Sequence, residues 1–189
     1  MARIGYADPA DLPEDERHLL DSMSDHEGGD HGLRSDRLNV YRLLGRNPAV
    51  LEGFREYFGT VWSEAGLDAH EREVVILATA RAADSRYEWH QHVRVALDEG
   101  MSAETVLAIA RGEPDHLSET HAALLEYVTA FVDGDVDDAT HARLAEHYDE
   151  PTVLGVTTLA GNYLGLAHVL DALAIDLETE FVGWDLDGL

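Results

Sequence analysis

The sequence contains neither cysteine nor lysine. The first absence excludes disulfides, thiolate nucleophiles, thiol redox pairs and cysteine-bound zinc or iron. The second means that all 13 basic residues are arginines, set against 38 Asp and Glu for a formal net charge of -25 over 189 residues. A surface of this sign repels nucleic acid and anionic membranes, so neither is expected as a partner. Such a chain also repels itself, and salt relieves the strain by shortening the Debye length from about 8 Å at physiological strength to about 3 Å at 1 M. The composition therefore points to a halophilic protein. The carboxylates are spread along the whole chain rather than gathered in one block, which argues against an acidic face built for one basic partner.

Proline is also scarce. The five prolines, Pro9, Pro13, Pro48, Pro114 and Pro151, all fall outside the apolar-periodic stretches, where helices begin or loops run. No apolar run approaches the roughly 20 residues of a membrane helix. Met1 to Asp15 has neither the basic stretch nor the apolar core of a secretion signal, so a cytoplasmic location is expected. What is present is the composition of a globular protein, 45% hydrophobic and 27% charged. A chain of this length fits one domain, able to bury about 70% of its unfolded surface.

Periodicity and punctuation predict an all-α fold of about eight helices. A short charged helix is expected from Pro13 to about Met23, followed by a mobile Gly, Asp and His loop from Ser24 to Gly32. A segment from Ser35 to Leu44 and another from Pro48, capped by Asn47, toward Ser63 both read as amphipathic. Asp68 with Glu71 is a capping pair, opening the apolar run Val74 to Ala83 that reads as a central buried helix. Further helices are predicted for Arg86 to Glu99 before Gly100, Ser102 to Gly112, Ser118 to Gly134, Ala139 to His147 capped by Asp137, and Pro151 to Leu173. In the last, Gly155, Gly161 and Gly165 are expected to let neighbouring helices approach closely. The organisation expected is an N-terminal helix and loop (1–34), a helical domain (35–178) and an acidic tail (179–189). The tail's Phe181 and Trp184 read as docking residues for a neighbouring surface or a second subunit rather than as substrate contacts.

Chemistry concentrates in Ser85-Arg86-Tyr87-Glu88-Trp89-His90-Gln91-His92. At about 100° per residue, Glu88 and His92 share one line of a helix and His90 points away. A carboxylate beside an imidazole favours the protonated ring and fixes its orientation, supplying an acid or base near neutral pH. The same spacing also fits a polar pair with no chemical role. Glu73 is a carboxylate at the start of the most apolar helix, where burial is costly without a partner. If the two helices run antiparallel, Glu73 lies about 18 Å along one from Arg86 and His92 about 9 Å along the other, so direct contact needs a crossing angle, a water or another helix.

The stretch Leu67 to Gly100, with Arg72-Glu73-Val74-Val75-Ile76-Leu77, then Tyr87-Glu88-Trp89 and His92, resembles the carboxymuconolactone decarboxylase family, which includes the alkylhydroperoxidase AhpD-like proteins. The resemblance continues through Glu119, Leu124-Leu125-Glu126-Tyr127 and Asn162-Tyr163, covering roughly Tyr41 to Glu178. It implies an all-helical fold and rings of identical subunits, trimers or hexamers. In the family's peroxidase branch, a C-x-x-C pair, a histidine four residues on and an upstream glutamate correspond to Ser85, Glu88, His92 and Glu73 here. Both sulfurs are missing, so thiol-dependent peroxide reduction is closed to this chain. The resemblance then implies the thiol-free branch, with decarboxylation or proton transfer on a small carboxylated lactone or related acid. His92 is the expected proton donor, Glu88 orients or recharges it, and Glu73 completes a relay. Tyr87 or Trp89 is expected to line the pocket, and Arg72 is the cation expected to meet an anionic substrate, with Arg81 and Arg86 also nearby in sequence. No cofactor and no metal are expected. A metal site on His90 and His92 is disfavoured because i and i+2 diverge on a helix, and one on the Asp25 to His31 loop is the other alternative. A helical oligomer that binds a small molecule without catalysis is the competing functional reading.

Overall fold

The computed structural model describes residues 1–22 and 37–188. Among these residues the structure is entirely helical, with eight α-helices: α1 (Asn39–Leu44), α2 (Pro48–Glu64), α3 (Ala69–Ala82), α4 (Arg86–Asp98), α5 (Ala103–Arg111), α6 (Glu119–Asp133), α7 (Asp138–Ala145) and α8 (Glu150–Ala172). Three short 3-10 turns complete it, at Pro9–Asp11, Glu14–Leu20 and Pro114–His116.

The core is organised around α3, which packs on α4, α5, α6 and α8. Every residue from Glu73 to Ala80 is buried. A helix enclosed by four others needs an apolar surface all round, which is why Val74, Val75, Ile76 and Leu77 occur in succession rather than at helical spacing. Each contributes about 1.5–3 kcal/mol by leaving water. The helix starts at the expected capping box, in which the Glu71 amide donates to Asp68 Oδ1 (2.9 Å) and the Asp68 amide to Glu71 Oε2 (3.0 Å). It stops in a Schellman turn, with Ser85 N–H to Ala80 O (2.8 Å) and Asp84 N–H to Arg81 O (3.2 Å). That turn puts Asp84 at φ 52, a left-handed conformation Asp tolerates better than most side chains. The chain reverses there, and the His70 ring meets Glu99 O at 2.9 Å at the far end, so α3 and α4 form an antiparallel hairpin.

Several expectations are corrected. The first segment is a 3-10 turn from Glu14 to Leu20, not an α-helix; only Leu19 and Leu20 are buried, too little apolar stripe to pack a longer one. The second helix starts at Asn39, because Leu38 before it is extended. The 24–32 loop and the Asp25 to His31 alternative lie outside the described residues. α8 is long and apolar enough, by length and composition, to span a membrane, contrary to the reading that no run approaches that length; 44% of its most apolar stretch is buried against its neighbours. Of its glycines, Gly155 lies against the Ala65 backbone and Gly161 against Phe131, as expected, whereas Gly165 faces open space. The tail aromatics dock on their own chain: Trp184 packs on Trp89 (5.4 Å between rings), and Val182 between them is fully buried.

Candidate active site

The hairpin brings Glu73 of α3 to His92 of α4 by direct contact. His92 Nδ1 lies 2.9 Å from Glu73 Oε2, with Glu73 fully buried and the His92 side chain 15% exposed. A carboxylate accepts only, so Nδ1 carries the hydrogen and Nε2 is the nitrogen left for chemistry. One turn back, Glu88 Oε2 stands 3.8 Å from Nε2, too far for a hydrogen bond but close enough for strong electrostatic interaction. Glu88 also occupies the first turn of α4, whose N-cap Ser85 accepts from the Glu88 amide at 3.5 Å. Ser85 therefore serves as a helix cap at one of the positions the resemblance aligns with cysteine.

Burial and mutual charge set the protonation states. Burial pushes the Glu88 carboxyl up to about 7, against the pull of His92 and with added repulsion from Glu178 and Glu73. Burial alone would depress His92, but the charge and hydrogen bond of Glu73, with the charge of Glu88, override it, and the imidazole sits above its ordinary value despite Arg72. Glu73 thus favours the protonated imidazole, and near neutrality the Glu88 carboxyl beside it is poised to gain or lose a proton.

Two residues that carried no assigned role, Tyr163 and Trp62, complete the surroundings. The Tyr163 ring stands edge-on to His92 at 5.1 Å, its phenol held neutral by burial and by Glu88 and Glu73. Trp62 stacks under the Arg72 guanidinium at 3.6 Å and holds it beside His92, whose protonation it opposes. Asn162 precedes Tyr163 on α8, and its Nδ2 is buried without a partner; so are Arg72 Nε, Glu73 Oε1 and Glu88 Oε1. Buried polar atoms are normally satisfied, and the open Arg72 donor with the open Glu73 and Glu88 acceptors around His92 suits a polar ligand. Asn162 and Tyr163 were visible as a polar pair interrupting an apolar helix, whereas nothing in its own neighbourhood marked Trp62.

Tyr87 and Trp89 are not brought to this group. Both are buried, but the Tyr87 hydroxyl donates to Glu178 Oε1 (2.8 Å) and accepts from the Val40 amide (3.1 Å), and the Trp89 indole N–H donates to Gly183 O (3.0 Å). Trp89 is about 100° around the helix from Glu88, which turns it into the core. Arg81 and Arg86 stack on Trp184 and Phe181 of the tail. His90 accepts from the Val182 amide at Nδ1 and meets Thr179 at Nε2 (3.0 Å); burial and then Arg94 and Arg86 lower it to about 4, so it is a neutral tail anchor. Among the described residues no group of three or more His, Asp or Glu has the geometry to hold a metal ion.

This is the AhpD-like all-α fold, with an acid, an imidazole and a second acid at its centre. Residues 48–138, the stretch that contains Arg72, Glu73, Glu88 and His92, match the carboxymuconolactone decarboxylase family. The structure is similar to the debrominase Bmp8 without ligand (TM-score 0.78, 16% identity, 97% of this chain and 95% of that one). It is also similar to a cysteine-to-alanine variant of Bmp8 in complex with 2,3,4-tribromopyrrole (TM-score 0.69, 17% identity, 76% and 78%). A third similar structure is the alkylhydroperoxidase AhpD core of an uncharacterized peroxidase-related protein from Ralstonia eutropha JMP134 (TM-score 0.75, 18% identity, 97% and 96%). At these identities the likeness is one of fold. No curated protein sequence matches the chain.

Proposed function

We propose that this protein performs thiol-independent acid–base chemistry, decarboxylation or proton transfer, on a small carboxylated lactone or related acid. The observation that carries the reading is the Glu73–His92 hydrogen bond, which favours the protonated imidazole and leaves its Nε2 turned toward Glu88. Arg72 Nε is the open donor suited to the substrate's carboxylate or carbonyl oxygen. As the carbon–carboxyl bond breaks, its electron pair moves into the conjugated system and carbon dioxide leaves. His92 Nε2–H then delivers a proton to carbon, and the neutral ring keeps its Nδ1–H on Glu73. The Glu88 carboxyl, titrating near neutrality, returns a proton to Nε2 and is itself reprotonated by water.

Thiol-based peroxide reduction is unavailable, since the sequence has no cysteine. The chain is further proposed to act as a homo-oligomer, a trimer or hexamer. Exposed Val50 and Tyr57 on α2 and Leu154 and Val169 on α8 offer apolar surface for it, and a mass measurement in solution tests it.

The test of function is a high-salt assay of unsaturated carboxylated lactones and β-keto acids, following substrate loss and carbon dioxide release. His92→Ala should abolish turnover while leaving helicity intact. Retained turnover overturns the assignment, and ligand binding without product in the unaltered protein replaces it with a binding role.

A further inference from the structure

Every residue of α4 between Arg86 and His92 except Glu88 is bonded through its side chain to the segment that follows α8. Tyr87 and Gln91, one turn apart, both donate to Glu178, at Oε1 (2.8 Å) and Oε2 (2.6 Å). Between them, Trp89 donates to Gly183 O (3.0 Å), and His90 is held at both ring nitrogens by Val182 N–H (3.3 Å) and Thr179 Oγ1 (3.0 Å). Because Nδ1 accepts from an amide, Nε2 must donate to Thr179. Glu178 accepts a third bond from the Asn39 amide (2.6 Å), so its carboxylate ties α1, α4 and the C-terminal segment together with short, charge-assisted bonds. Guanidinium groups close the strap from outside, Arg86 over Phe181 and Arg81 over Trp184.

The grip matters because of what α4 carries on its other side. Glu88 and His92 face Glu73, and two buried carboxylates in one place repel each other and lose hydration. A small rotation of α4 would relieve that strain by swinging Glu88 away, and the four anchored residues, which flank Glu88 and His92 on both sides and behind, prevent it. We propose that the C-terminal strap, residues 176–188, is a positioning element of the catalytic turn, with Glu178 as its main contact. This rests on the acid–base reading of Glu73, Glu88 and His92. Glu178 also faces Glu88 electrostatically, alongside His92 and Glu73, and its charge raises the Glu88 carboxyl. Loss of that charge should therefore let Glu88 ionise at lower pH, which packing alone would not do.

The experiment compares the full chain with Glu178→Ala, and with Gln91→Leu, which cuts one of these contacts from the helix side. Helicity is followed by circular dichroism, the Glu88 and His92 titrations by side-chain NMR, and turnover by carbon dioxide release. The expected result is preserved helicity, a Glu88 titration moved to lower pH in Glu178→Ala, an altered His92 titration in both variants, and a kcat reduced about tenfold or more with KM little changed. Folded variants whose titrations and kcat superimpose on the unaltered protein overturn the proposal. If Glu178→Ala fails to fold, the Gln91→Leu titration decides alone. If the unaltered protein turns over none of the acids, the acid–base reading fails, while the NMR comparison still decides whether the strap sets the geometry of the turn.

Discussion

Replacing Glu73 by Gln keeps the shape of the side chain and an acceptor for His92 Nδ1–H but removes the charge. Glu73 is fully buried and its hydrogen bond to His92 is 2.9 Å long. A hydrogen bond to a charged group contributes about 1.5–3 kcal/mol and a neutral one about 0.5–1.5, so the exchange withdraws about 1–1.5 kcal/mol from the imidazolium. The lost Coulomb attraction adds to this, since burial by itself disfavours the cation at His92. At 1.4 kcal/mol per factor of ten, protonation of His92 at pH 7 should become harder by roughly one to two powers of ten, and a step that needs its Nε2 proton should slow by about 10- to 100-fold. The loss should be recovered at lower pH, where the ring is protonated without help. The assay is a pH–rate profile paired with the His92 titration by NMR. A titration that stays in place or moves upward, or a rate that acid does not restore, refutes the reasoning. The sign for stability follows from the same raised value: the contribution of the pair is full below the ordinary imidazole pKa of 6.5 and is lost as pH rises through the folded value.

Glu88→Gln should stabilise the protein in mild alkali while removing its chemistry. Between 4.5 and about 7 the folded chain holds a proton that the unfolded chain has released, so stability falls as pH rises through that window, by up to roughly 3 kcal/mol; a Tm gain no larger at pH 8 than at pH 4.5 contradicts this. Two glycines of α8 should respond in opposite directions. Gly155→Ala places a methyl group against the Ala65 backbone, its Cα only 2.7 Å away, and should cost about 1–3 kcal/mol, whereas Gly165→Ala meets nothing within 4 Å and should gain about 0.5–1 kcal/mol from better helix propensity. Denaturant melts of the two variants check the pair, and equal effects would show that the packing of α8 against Ala65 is not as described.

Most of the helices were legible because their ends are written locally. Asn47, Asp68, Ser102, Ser118 and Asp137 each accept an amide hydrogen bond as N-cap, and Gly112 and Gly134 close their helices with positive φ. The 3-10 turn at Glu14–Leu20 was misread because charged residues allow either winding and its packing, not its pattern, decides. Phe181 and Trp184 were legible as docking residues because aromatics in an acidic tail seek apolar cover, but only the fold shows that the surface is Trp89 of the same chain and that Val182 is buried with them.

Local pattern alone determined the helical class, the exclusion of sulfur chemistry and the shared line of Glu88 and His92, since each depends on composition or on a spacing within one turn. The tertiary fold decided the rest. It joined Glu73 to His92 across a hairpin, stacked Trp62 under Arg72, set Tyr163 beside the imidazole and turned Trp89 into the core. Those contacts join residues 10 to 71 positions apart in the chain, through the crossing and rotation of packed helices, quantities that follow from how the whole core fills space and that no single segment encodes.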